Sequence, residues 1–346
     1  MTTTKTVESP KTGEITLVTI TNASGASVVL STLGAGIVEV NVPDKDGNIT
    51  DVTIGYKDPT DYLADGPCAG KVPGRYANRI AKGKFSIDGT EYQLAINNGP
   101  NALHGGPTGF QNRNWTVESI FDNAVVFAYT SADGEEGYPG KLSVKAEYVW
   151  TDDNELRLHL TATTDKKTII NLTNHAYFNL AGHATGSVLD HILKLNASHY
   201  LPTDPTSIPT GEIAPVAGTP MDFTTPKAIG SDIKADFEPL IIGKGYDHCW
   251  VIDNYEPGKI QSVAVLTDPM SGRSVEIDSD QPGVQVYTGN WLDGAPVNKA
   301  GGEYKDYDAV ALECQDFPDA PNKPNFPSTI LAPGEEYSRN IIFRFK

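Results

Sequence analysis

Basic residues, cysteine and long apolar runs are all scarce in this chain, and each scarcity excludes something. Against 44 aspartates and glutamates stand only 27 lysines and arginines, for a formal net charge of −17. A field of that sign repels polyanions and anionic lipid, so neither nucleic acid nor a membrane is an expected partner. It also disfavours a phosphorylated substrate unless arginines cluster locally. The three cysteines, Cys68, Cys249 and Cys314, are odd in number and lack CxxC spacing. That pattern argues against a disulfide framework or a structural zinc site and for reduced thiols. The opening Met-Thr-Thr-Thr-Lys-Thr-Val-Glu-Ser-Pro has no apolar segment of the secretory kind, and no run is long enough to span a bilayer. The expected compartment is the cytoplasm.

Long helical periodicity is missing too; Pro226–Asp236 has room for a short helix at most. What recurs instead is the short β-branched or aromatic run: Ile15–Ile20, Ser27–Leu30, Ile37–Val42, Val52–Tyr56, Lys84–Ile87, Leu142–Trp150, Leu156–Ala162, Thr168–Phe178, His248–Ile252, Gly283–Tyr287, Val310–Cys314 and Ile341–Phe345 among others. Turn signals separate them, with Asp88-Gly89, Asp122-Asn123 and Asp152-Asp153-Asn154 as hairpin candidates. The pattern predicts an all-β fold, with two large antiparallel sheets packed face to face as a β-sandwich. The length of 346 residues fits two ordinary domains, but no linker divides the chain, so 1–346 is expected to be one domain. The Pro-rich stretch Phe317–Pro327 is expected to be an ordered loop, with aromatics at both ends, walling whatever site lies near Glu313.

Two runs carry polar residues where a strand should be bland. In Asn171–Asn179, alternation puts His175 on one face with Asn171, Thr173 and Tyr177. In Ala309–Gln315 it puts Glu313 with Ala311 and Gln315, opposite Val310, Leu312 and Cys314. Burying an imidazole or a carboxylate costs free energy unless it is partnered. Together the two form a general acid/base pair. Other segments are less pointed. Gly74–Ala81 holds Arg75 and Arg79, which also suit a solvated turn. His104 precedes a Gly-Gly pair, where the backbone can approach a ligand closely or simply turn. Asp247 beside an apolar strand also suits a strand cap, and Gln281 before Pro-Gly also suits a turn. Metal binding by His104, His175, Asp247 and Glu313 competes, but neither HxH nor HExxH spacing is present.

Six segments taken in order resemble the aldose 1-epimerase (galactose mutarotase) family: Gly74–Ala81, Asn101–Gly106, Asn171–Leu180, Tyr246–His248, Gln281–Asn290 and Leu312–Ala320. The resemblance spans nearly the whole chain. It implies a large antiparallel β-sandwich of the mutarotase supersandwich type and an isomerase that interconverts the α and β anomers of free aldohexoses such as galactose or glucose. No cofactor and no metal are implied. It further implies Glu313 as general base, His175 as general acid, and Asn78, Arg79, His104, Asp247 and Gln281 as sugar-binding residues. The mechanism expects His175 to start protonated and Glu313 ionised, with neighbouring carboxylates favouring the imidazolium and Arg79 favouring the carboxylate. Tyr177, Trp250 and Phe317 are candidate covers for a sugar face. Three alternatives accompany this reading: a hexose-6-phosphate 1-epimerase with Arg75 and Arg79 as a phosphate clamp, a glycoside hydrolase using Asp247 and Glu313, and a non-catalytic sugar-binding protein. The sequence carries no signal for an oligomeric state.

Overall fold

Strand pairing in the computed structural model, which describes all residues Met1–Lys346, is antiparallel throughout the ladders. The strands form a nine-stranded, a six-stranded and a five-stranded sheet with three two-stranded ribbons. The only α-helix is one short segment, Glu238–Gly243. The nine-stranded sheet supplies Phe127, Tyr148, Leu158, Ile277 and Phe343 to a cluster of 58 buried residues, and the six-stranded sheet supplies Trp250, Val284, Val286, Leu312 and Cys314 to the same cluster. The two large sheets therefore share one apolar layer, the arrangement expected of a sandwich. No helix is long and apolar enough to cross a membrane.

The hairpins at Asp88-Gly89, between Lys84–Ile87 and Thr90–Gln93, at Asp122-Asn123, between Thr116–Ile120 and Ala124–Ser131, and at Asp152–Asn154, between Leu142–Trp150 and Glu155–Thr164, form where their turn residues place them. Elsewhere the local signal misled. Thr2–Ser9 is a strand despite its threonines and charges, because it edges the five-stranded sheet and pairs with Gly13–Thr21 while staying largely exposed. Between Thr168 and Phe178 only Thr168–Ile169 and Tyr177–Phe178 belong to strands. The helical turn expected within Pro226–Asp236 is a single 3₁₀ turn, Ile229–Ser231, and the α-helix follows it.

The six-stranded sheet positions the site. Its strands Asp247–Val251, Gly283–Tyr287 and Val310–Gln315 are neighbours, with Asp247 opposite Tyr287 opposite Ala311, and Cys249 opposite Gln285 opposite Glu313. Because side chains alternate, one face carries Asp247, Gln285, Tyr287 and Glu313 while Val284, Val286, Leu312 and Cys314 enter the core. The alternation expected around Glu313 is the one observed. Leu312→Ala removes the buried Cγ and both methyl groups from this layer and is expected to destabilise the protein by about 2–5 kcal/mol, measured as a lower urea midpoint at unchanged slope.

Candidate active site

On the outer face of the six-stranded sheet lies a cavity of about 470 Å³, lined by Asn78, Arg79, His104, His175, Asp247 and Glu313 together with Tyr177, Tyr287 and Trp291. Six of the seven residues singled out from the sequence thus meet in one place. Three structural units bring them there. Glu313 and Asp247 come from the sheet itself. Asn78, Arg79 and His104 come from a small ribbon in which Arg79–Ile80 pairs with Ala102–Leu103. His175 comes from a segment that runs beside the Gly70–Ala77 stretch: its N–H donates to the Lys71 carbonyl at 2.8 Å, and its carbonyl accepts from the Gly70 N–H at 2.9 Å. That pairing replaces the strand expected over Asn171–Ala176 and is why the segment is not part of the sheet.

Asn78 and His104 both adopt left-handed backbone angles, φ 63° and 50°. The Asn78 N–H donates to His104 Nδ1 at 3.1 Å, and the His104 N–H donates to the Asn78 carbonyl at 3.0 Å. With Nδ1 accepting, a neutral His104 carries its proton on Nε2. Gly105 is glycine for a different reason than ligand approach. A Cβ there would sit 1.9 Å from the Gly74 carbonyl oxygen, so the residue permits two backbone segments to touch.

Arg79 Nη2 lies 3.4 Å from Asp247 Oδ2, its Nε donates to Asn98 Oδ1 at 3.0 Å, and Gln285 Nε2 donates to Asp247 Oδ1 at 2.7 Å. Asp247 is thereby held at both oxygens. Gln285 was missed from sequence, although a lone amide between Val284 and Val286 is the same kind of interruption that marks Glu313. Gln281, expected at the site, is not there. Fully buried, it donates from Nε2 to the carbonyls of Leu172 at 3.0 Å and Cys314 at 2.8 Å, tying two chain segments together beneath the sheet edge. Arg75 also lies elsewhere. Its guanidinium donates to the carbonyls of Pro139 and Gly140 and to Ser131 and Thr168 hydroxyls. Of the aromatics considered, Tyr177 lines the cavity; Trp250 faces the core, and Phe317 packs edge-on against Phe326 at 5.1 Å. The Phe317–Pro327 loop does not wall the main cavity. It braces the arginine from behind, where the Asp319 N–H donates to the Arg79 carbonyl and Asp319 Oδ1 accepts from the Ala81 N–H.

His175 and Glu313 meet directly, Nε2 to Oε1 at 3.4 Å, with the two side chains only 6% and 2% exposed. His175 Nδ1 and Glu313 Oε2 have no protein partner. Buried polar atoms are normally satisfied, and these two exceptions belong to the two residues that meet at the cavity. Burial is the leading cause of both perturbed protonation equilibria. It pushes His175 down to about 4, with Asp247 partly opposing and Lys71 adding to the shift. It pushes Glu313 well above the usual glutamate range, reinforced by Asp247 and opposed by Arg79. His104 is likewise held well below its ordinary value by burial and then by His175. The expected resting state, imidazolium beside carboxylate, is therefore the disfavoured one: desolvation outweighs the neighbouring charges and favours the neutral pair. No three histidine, cysteine or carboxylate side chains converge in a way that would hold a metal ion. Chemically the arrangement is a buried, mutually contacting base and acid beside fixed hydrogen-bonding groups, facing a polar cavity of small-molecule size.

Comparison with known proteins points the same way as the geometry. The family model described as aldose 1-epimerase matches residues 16–344. Galactose mutarotase from Homo sapiens is 44% identical over 312 residues, covering 90% of this chain and 89% of that protein. Aldose 1-epimerase from Escherichia coli (strain K12) is 37% identical over 331 residues, covering 95% and 94%. An aldose epimerase homologue from C. elegans superposes with a TM-score of 0.88 at 30% identity over 99% of both chains, and galactose 1-epimerase from Lactobacillus acidophilus with 0.86 at 27% over 100% and 98%. With its sandwich, its cavity on the outer sheet face and a match running almost end to end, the chain belongs to the aldose 1-epimerase family.

Proposed function

We propose that this protein is an aldose 1-epimerase acting on free hexoses such as galactose and glucose, with Glu313 as general base and His175 as general acid. The observation that carries the assignment is the buried His175–Glu313 contact of 3.4 Å at a polar cavity. Asn78, Arg79, His104 and Asp247 bind the sugar hydroxyls in this reading; Gln281, expected among them, does not, and Gln285 contributes by fixing Asp247. The family match over 16–344 and the shared 58-residue core support reading 1–346 as one domain. Three free, buried cysteines suit the reducing cytoplasm.

Proton accounting links the electrostatics to the reaction. In the reactive form the pair is a carboxylate and an imidazolium with the cyclic sugar between their tasks. Glu313 removes the C1 hydroxyl proton while His175 delivers its proton to the ring oxygen; the C1–O5 bond breaks and the aldehyde forms. The pair is now neutral, the state that burial favours. A raised Glu313 makes the carboxylate a stronger base, and a lowered His175 makes the imidazolium a stronger acid, so both transfers run readily once the charged pair has formed; forming it moves the proton from Glu313 to His175, a step that burial opposes and the bound sugar must favour. Rotation about C1–C2 exposes the other carbonyl face, and the same two transfers in reverse close the ring as the opposite anomer.

Arg79 is the only arginine or lysine lining the cavity, and Asp247 shares its charge. This supports a neutral sugar over a phosphorylated one. Both oxygens of Asp247 are already engaged, which disfavours it as a glycosidase nucleophile.

Polarimetry on freshly dissolved α-D-galactose and α-D-glucose tests the function: accelerated decay to the equilibrium rotation is expected, and binding without acceleration would leave only a sugar-binding protein. In the same assay Glu313→Gln is expected to lower kcat by about 10²–10⁴-fold with KM within a few-fold, since the amide cannot accept the C1 proton. Free hexose is expected to exceed glucose 6-phosphate in kcat/KM by about tenfold or more, equivalent to roughly 1.4 kcal/mol. Finally, the active pair holds one mobile proton and is lost on acidification only when a second proton binds. Because His175 is lowered to about 4, the acid limb of kcat/KM is expected well below the ordinary imidazole value of about 6.5; a limb at or above that value would contradict the assignment.

A further inference from the structure

Beneath His175 lies a charged pair that the proton transfers do not use. Lys71 and Asp65 are in contact, with side chains 1% and 0% exposed. Lys71 Nζ also donates to the Tyr62 carbonyl and to Asn112 Oδ1, and Asp65 Oδ2 accepts from the Tyr56 hydroxyl at 2.8 Å and the Ala69 N–H at 2.9 Å. Fully desolvated ion pairs are seldom better for stability than an apolar pair of similar size, so stability alone is a weak reason for this one. Its location supplies another. The two residues bracket a loop of which Gly66 and Pro67 line the cavity, and the Pro67 carbonyl accepts from the Tyr177 hydroxyl at 2.9 Å. The end of that loop grips His175 through both of its backbone hydrogen bonds, to Lys71 and Gly70.

We propose that Lys71 and Asp65 are positioning residues for the acid: their buried pair fixes the Asp65–Lys71 loop, and through it the backbone and ring of His175 against Glu313. The inference rests on the acid/base reading of His175 and Glu313. The groups around the imidazole are Glu313 and Asp247 from the sheet, Tyr287 and Tyr177 at ring-centroid distances of 6.5 and 4.8 Å, His104 at 5.3 Å, Arg79 from the ribbon and Lys71 from the loop. After burial, which dominates, the Lys71 cation also helps hold His175 in its neutral form.

The test uses Lys71→Met, Asp65→Asn and the double variant, which leaves no unpaired buried charge and so keeps a folded protein available if either single variant fails to fold. Steady-state polarimetry on the folded fraction is expected to show kcat lowered by about tenfold or more with KM nearly unchanged, because small misplacement of a proton donor costs rate rather than binding. The His175 ring, followed by NMR, is expected to charge at higher pH in Lys71→Met than in the wild type. A double variant with wild-type kcat, or a loss confined to KM or to the folded fraction, overturns the proposal. A wild-type protein that binds sugar without exchanging anomers defeats the functional reading instead.

Discussion

A carboxylate and an imidazole pressed together away from water are the constraint on which this molecule turns. Separately, each would be an expense in a β-sandwich core. Together, at 3.4 Å and almost wholly buried, they form a pair whose charged state is strained by desolvation and whose neutral state is not. In the proposed mechanism the step that opens the sugar ring is the step that discharges the pair, and the bound sugar has to offset the cost of charging it first. Asp247, Arg79 and Lys71 tune the surroundings, but burial heads the causes of both shifts.

The fold delivers that pair by combining a rigid element with a tied loop. Glu313 is fixed by the ladder: strands on both sides set its register, and the residues before and after it are anchored in the core. His175 has no such ladder. It is held by two backbone hydrogen bonds to the Gly70–Lys71 stretch, so its precision depends on how firmly that stretch is held. The ribbon carrying Asn78, Arg79 and His104 is secured in turn by mutual bonds between Asn78 and His104 and by Asp319 behind Arg79.

How much of this the sequence disclosed follows the reach of each signal. Period-two alternation is imposed by the strand itself, so the faces of Val310–Gln315 were legible, as were hairpins written in Asp-Gly and Asp-Asp-Asn turns. The segment around His175 looked like a strand because apolar and aromatic residues alternate with its polar ones. Its true partner is a stretch about 100 residues earlier that no local pattern names. Gln281 and Gln285 share the same short motif and the same strand parity. Only the register opposite Glu313 and the donation to Asp247 separate the residue at the site from the one that laces the sheet edge. Charge states were the least legible, because the sequence shows which groups are present but not how completely the fold removes their water.

The central claim is that the sugar-free pair rests in its neutral form. The most direct measurement is NMR of the His175 imidazole nitrogens, assigned with His175→Asn, from about pH 8 to about pH 4. The account predicts a neutral ring that passes through the ordinary imidazole midpoint of about 6.5 unchanged and charges only as the pH approaches 4. An imidazolium already formed in the neutral range, paired with an ionised Glu313, would contradict it.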